Sequence, residues 1–234
     1  EANYLYQEAK TLSTLGWAYN IQGDTQKALG AHNQSKAIWE AIDKRGEGNA
    51  EAYELMKVYR YLGDDYEQSS LDQLSLCEEH YYKALELAQQ LDLTRPGSTD
   101  QEVGMIHLGL GKVGIRKKSF EMAEYHLTSA LQIFQTPNQI STDKVRRGLI
   151  LRNFAKLRIE QKESLEASKL LDEAINVFLL VKAYGYAIGA HLDMGFFAVQ
   201  LNEKALYQNH LSQAKQIFIE HADKAPLTDS FVYR

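Results

Sequence analysis

Residues 109–114 read GLGKVG, a literal match to the glycine fingerprint G-x-G-x-x-G of dinucleotide-binding folds. In those folds glycines let backbone amides approach a pyrophosphate at a helix N-terminus. That chemistry needs a buried strand before the glycines, a helix after them and an acidic side chain about 20 residues on. Here the preceding QEVGMIHL is not flanked as a strand, and no strand–helix–strand pattern follows. The phosphate-loop form is absent too. Gly111-Lys112 is followed by Val113 where a Ser or Thr belongs, and Ile106 stands five places before Gly111 where a glycine belongs. The match is read as chance, within a helix, and no cofactor is expected.

The other candidates for chemistry are equally bare of pattern. The seven histidines (His32, His80, His107, His126, His191, His210 and His221) include no H-E-x-x-H and no pair at helical metal spacing. No metal ligand is assigned, and His107 and His191 read as packing residues. No G-x-S-x-G nucleophile motif occurs. The acid pairs Asp64-Asp65 and Glu78-Glu79 read as solvated faces or turns. The one cysteine, Cys77, excludes an internal disulfide and cannot make a cysteine-based zinc site alone. No catalytic residue is assigned, and the chain is not expected to be an enzyme.

Composition bounds the partners. A formal net charge of −5 argues against general affinity for nucleic acid or an anionic membrane. The apolar runs are short and broken by charges, so no span is expected. No signal-peptide pattern is visible, and a reducing, cytoplasmic setting is the expectation. The numbering opens at Glu1, already inside a helical pattern, as a piece of a longer protein would.

The elements that must carry any site come in fixed-period echoes. The first places Leu15-Gly16, Tyr19, Gly23-Asp24, Ala28 and Ser35; the second Leu55-Met56, Tyr59, Gly63-Asp64 and, after an interruption, Cys77, Tyr81 and Ala84. The third runs Leu110-Gly111, Gly114, Lys118, Ala123, Leu127, Ala130, Phe134. The fourth runs Phe154-Ala155, Arg158, Lys162, Ala167, Leu171, Ala174, Phe178, and the fifth Met194-Gly195, Ala198, Asn202, Tyr207, Leu211, Ala214, Phe218. Each echo is two helical patterns about a short turn. A helical pair cannot bury both apolar faces alone, and stacking neighbours completes the core. Segments 95–100, 136–143 and Ala225-Pro226 carry the punctuation of connections. Ser98 or Thr99 and Ser141 or Thr142 are candidate N-caps. About nine residues are inserted between Gly63 and Cys77, giving either an acidic loop over 64–72 or an extension of the second helix.

This pattern resembles the tetratricopeptide repeat, W-x2-L-G-x2-Y followed by an alanine, an aromatic and another alanine. Leu15, Gly16, Tyr19, Gly23 and Ala28 fit it best. The tryptophan position holds Leu12, His107, Leu151 or His191, and the closing proline is absent. Second helices recur about every 40 to 49 residues rather than 34, as in kinesin light chains and sensor domains of signal-transducing ATPases. The resemblance implies an all-α, right-handed solenoid of five antiparallel helix pairs. They form one domain over 1–234, with repeats near 9–44, 48–92, 101–136, 144–182 and 186–222.

In that family the first helix of each pair lines a concave surface. The resemblance places Trp17, Lys57, Lys112, Lys156 and Phe196 centrally there, with Asn20, Arg60, Arg116, Arg152 and Asn153 beside them. The middle repeats would then carry a basic stripe, which Glu54, Glu160 and Asp193 could neutralise. Gly111 and Gly114 are expected against the partner helix and Gly109 toward the concave side. The stripe does not reproduce the carboxylate clamp of co-chaperone repeats, whose lysine and asparagine positions hold Ser13 and Trp17 here. The implied function is a scaffold that binds another protein or peptide, with an acidic segment the partner the stripe favours. The alternative is the effector-binding arm of a multidomain regulatory ATPase or transcriptional regulator.

Overall fold

The computed structural model describes residues 2–43, 48–135 and 141–221, so the 136–140 linker and Ala225-Pro226 lie outside it. The described chain is all-α and of solenoid type, with ten helices and no strand. They are α1 (Ala2–Ile21), α2 (Thr25–Asp43), α3 (Asn49–Glu67), α4 (Leu74–Thr94), α5 (Asp100–Arg116), α6 (Phe120–Ile133), α7 (Ser141–Glu160), α8 (Ser164–Leu180), α9 (Tyr184–Gln200) and α10 (Lys204–His221). The backbone forms two compact units, Glu1–Met122 and Ala123–Arg234. In the first, α1 packs on α2, α3 on α4, and α3 also meets α5; in the second, α7 packs on α8 and α9 on α10.

One turn recurs between helices, and its backbone bonds explain why the chain reverses there. After α5 the Lys118 N–H donates to the Ile115 carbonyl (3.0 Å) and the Ser119 N–H to the Gly114 carbonyl (2.9 Å). This is the Schellman pair, which satisfies the last helical carbonyls and needs a left-handed residue at its centre. The same pair of bonds ends α1, α7, α8 and α9. The central residues are Gly23, Lys118, Lys162, Lys182 and Asn202, all at φ between 57° and 77°. After the first of these turns the Asp24 carboxylate accepts from the Lys27 N–H, capping α2.

The second pair departs from this plan and corrects the sequence reading. Gly63-Asp64 is not a turn, because α3 runs on to Glu67. A bend and a short 3-10 turn, Leu71–Gln73, then lead into α4. The insertion therefore lengthens the first helix as far as Glu67 and widens the connection after it, while the second helix is not lengthened. Gly63 is kept small by Tyr81, whose ring lies 2.5 Å from where a Cβ would stand. Thr99 occupies the N-cap position of α5, but its hydroxyl donates to Asp92 at 2.9 Å instead of capping. Ser141 is the first residue of α7.

The core of the first unit is one cluster including Trp39, Met56, Leu62, Cys77, Tyr81, Ile106, Leu110 and Val113. In the second unit Leu151, Ala174 and Phe178 pack with Ala187 and Ala190, while Ala155, Ala167 and Leu171 pack with Met194 and Phe197. The alanine rows let helices approach closely, as the spacing predicted.

Candidate functional site

GLGKVG lies wholly within α5. Gly111 and Gly114 are buried, and so is Gly109, against the expectation that it faces a concave surface. A Cβ on Gly109 would stand 2.3 Å from the Tyr81 ring. Tyr81 is pinned by its hydroxyl, which donates to Asp64 at 2.7 Å. The ring thus occupies the space a side chain at 109 would need. Three glycines in a helix forgo about 3 kcal/mol relative to alanine, and close packing is what they return.

The stripe residues of the first unit sit on α1, α3 and α5, and its cations and Asn20 are each held by a neighbour. Lys57 pairs with Glu54 at 2.8 Å. Arg60 bridges Asp64 and Glu102, both at 2.6 Å, and lies 4.3 Å from the Tyr61 ring centre. Burial alone would lower the Arg60 guanidinium, but the two carboxylates hold it above its ordinary value. Lys112 donates to Glu67 at 2.6 Å. Burial would lower its ammonium too, and Glu67 outweighs that and raises it. Arg116 donates to the backbone carbonyls of Glu67 and Ser69, with the Glu67 carboxylate 3.6 Å away. The Asn20 amide donates to Asp65 at 2.7 Å and accepts from Gln68 at 3.1 Å. The extended end of α3 and the residue after it thus supply Asp65 and Gln68, which hold Asn20 of α1, and Glu67, which holds Lys112 and Arg116 of α5.

In the second unit Arg152 is buried with its Nε 2.5 Å from Asp193 and an Nη 3.3 Å from the Gly189 carbonyl. Lys156 reaches the same carboxylate at 3.6 Å. Asn153 is buried and returns its amide to the Leu149 carbonyl of its own helix at 2.8 Å. Of the three acids that could neutralise the stripe, Glu54 pairs with Lys57 and Asp193 with Arg152 and Lys156, whereas Glu160 is exposed. Two of the candidates are aromatic, one in each unit. Trp17 is 52% and Phe196 59% exposed.

Two polar pairs escaped the sequence reading. Asp65, read as part of a solvated pair, is fully buried, and its second oxygen lies 2.6 Å from His32 Nδ1. Burial raises its carboxyl above the ordinary value, against the pull of His32 and Asn20. His32 Nε2 faces the Ser13 backbone carbonyl at 3.2 Å, so that nitrogen carries a proton. The Ser13 hydroxyl bonds to Ala9 and Ser35 instead of the imidazole. The arrangement is a structural tether between α2 and α3, not a nucleophile with its base. The second pair is His191 and His210, buried with their Nδ1 atoms 3.0 Å apart. Among the described residues no group of three or more His, Cys, Asp or Glu could hold a metal ion. No described helix is long and apolar enough to cross a membrane.

No protein-family model and no curated protein matches this chain. Solved structures do match, 19 chains in all. Among them is the crystal structure of BtubC (BKLC) from P. vanneervenii, similar at 16% sequence identity with a TM-score of 0.65. The match covers 93% of this chain and 82% of that one. The likeness is one of fold, a helical repeat of tetratricopeptide type.

Proposed function

We propose that this chain is an interaction scaffold that binds a protein or peptide on the exposed face of its first helices. The observation that supports the reading is Trp17, a half-exposed tryptophan on α1 one turn from Asn20, whose amide is already locked to α3. An exposed aromatic on a rigid, hydrogen-bonded surface loses little entropy when a partner covers it. Phe196 on α9 offers the second unit a comparable anchor.

Charge plays the smaller part. In the first unit Lys57, Arg60, Lys112 and Arg116 face Glu54, Asp64, Glu67 and Glu102, four cations against four carboxylates. A partner carboxylate must therefore replace Glu67 on Lys112, an exchange of one pair for another worth about 0–1 kcal/mol. On the first unit an acidic segment would be bound through Lys57 and Lys112 with some salt dependence, and its affinity would rest mainly on the aromatic anchor. In capture from lysate followed by titration of the recovered partner, Trp17→Ala is expected to weaken binding about tenfold or more at unchanged melting temperature. Undiminished affinity in that variant would remove the anchor and with it this reading.

A further inference from the structure

The repeat register buries two positions everywhere except at the two ends of the series. In first helices, the position of Leu15 holds Leu55, Leu110, Phe154 and Met194, all at most 7% exposed, whereas Leu15 is 41% exposed. In second helices, the position of Leu211 holds His32, Tyr81, Leu127 and Leu171, all at most 1% exposed, whereas Leu211 is 43% exposed. Tyr207 and Phe218, on the same face of α10, are 36% and 42% exposed. Among the described residues α1 has no second helix before it and α10 no first helix after it, and these are the faces such neighbours would cover.

The junction of α8 with α9 shows how two such faces meet. Met194 and Phe197 of α9 pack with Ala167 and Leu171 of α8, while Ala183 and Ala187 join the cluster of Ile175 and Phe178. Carried by the register onto the two ends, these contacts set Leu15 and Ala18 on Tyr207 and Leu211, Tyr4 near Phe218, and Glu8 at Lys215. The interior junctions hold apolar residues at that last pair of positions, Ile175 with Ala187 in one cluster and Leu85 with Val103 in another. The two ends hold a lysine and a glutamate instead. Both are exposed, and neither forms an ion pair with another described residue.

We propose that copies of this chain associate head to tail, α1 of one copy lying on α10 of the next, with Leu15 over Leu211 and Glu8 paired to Lys215. Charge selects this occupant over the α10 of a second copy. Two α10 helices face to face would bring Lys204 and Lys215 of both together. The only carboxylate within α10, Glu220, stands two residues past Phe218 and so on the far side of the helix. Glu8 and Thr11 occupy the places that Val103 and Ile106 hold in α5, so the α1 face is more polar than an interior junction and the association is reversible. A head-to-tail contact is heterologous, which leaves a free edge at each end and lets the assembly grow past two copies. Trp17 lies two residues past Leu15, on the other side of α1, so this contact is separate from the binding face proposed above and does not depend on it.

The test is sedimentation of the 1–234 chain at concentrations up to about 100 μM, well above the dissociation constant of about 10 μM that suits a small reversible contact. Weight-average mass is expected to climb past that of a dimer. Leu15→Asp and Leu211→Asp should each abolish this growth. A mixture of those two variants should stop at a 1:1 dimer, because each keeps one working edge. Glu8→Lys and Lys215→Glu should each weaken association about tenfold or more, and both together in one chain should restore it. These charge variants change only exposed side chains, so they decide the question if an aspartate variant does not fold. A chain that stays monomeric at every concentration would overturn the proposal. Association that survives Glu8→Lys but is lost with Leu211→Asp would mean that two α10 faces meet, and would overturn it as well. A full chain that stays monomeric while a chain ending at His221 associates would assign the α10 face to residues 222–234, again against the proposal.

Discussion

His191 and His210 meet across α9 and α10 with their Nδ1 atoms at hydrogen-bond distance, which requires the accepting ring to be neutral and forbids both from being protonated. Burial, and then the neighbouring His210, push His191 down to about 4, and burial lowers His210 as well. The folded state therefore binds fewer protons than the unfolded state between about pH 4 and the ordinary histidine value near 6.5. Stability from this source is complete above pH 6.5 and is lost as pH falls toward 4, by about 1–3 kcal/mol, the lower figure allowing for solvent screening. Asp65 acts in the opposite sense, since its raised carboxyl favours the folded state as pH falls, but it lies in the other unit. One repeat earlier, the positions of His191 and His210 hold Leu151 and Leu170. The double variant His191→Leu, His210→Leu should accordingly show a flatter decline of urea midpoint between pH 7 and 4 than the parent chain. Parallel pH profiles for the two proteins would mean that the histidine pair carries no linkage.

At the scale of the element, the recurrent turn is built with unequal residues. Its left-handed centre is glycine after α1 and asparagine after α9, but lysine after α5, α7 and α8. A side chain with a Cβ costs roughly 1–2 kcal/mol in that conformation, while glycine loses up to about 1 kcal/mol of chain entropy. The attraction of an exposed lysine for a helix C-terminus recovers only about 0.3 kcal/mol. Lys118→Gly, Lys162→Gly and Lys182→Gly should each raise stability by about 0.5 kcal/mol, read as an increase in urea midpoint at constant m value. Gly23→Lys should lower it by a similar amount. No change in the triple glycine variant would show that the turns are not strained. Lys118, Lys162 and Asn202 were legible as turn positions because they recur at one place in the echo, whereas their backbone sign was not. The end of α3 was misread for the converse reason. Gly63-Asp64 copies the letters of Gly23-Asp24, and only Tyr81, on the following helix, turns that glycine into a packing contact.

Across the whole molecule, the sequence exposes whatever depends on period and hides whatever depends on pairing. The alanine rows at Ala123, Ala130, Ala167 and Ala174 were readable because each repeat must bury the same face, and all four are fully buried. The ion pairs were readable only where both partners share a helix or an obvious stripe, as with Lys57 and Glu54. The tie of Glu67 to Lys112 spans 45 residues and that of His32 to Asp65 spans 33, distances over which no periodicity speaks. The alanine register is therefore the part of the fold to try hardest. Ala174 lies among Leu151, Phe178, Ala187 and Ala190, so an aspartate there would be an unpaired charge between α7, α8 and α9. Ala174→Asp should cost several kcal/mol, lower the helical melt, and strip hydrogen-exchange protection first from α7, α8 and α9. The control lies one residue back on the same helix. Glu173 faces Arg147 at the surface, and Glu173→Ala should cost under about 1 kcal/mol. Equal and small effects at 173 and 174 would mean that the second helices do not present the face assigned to them.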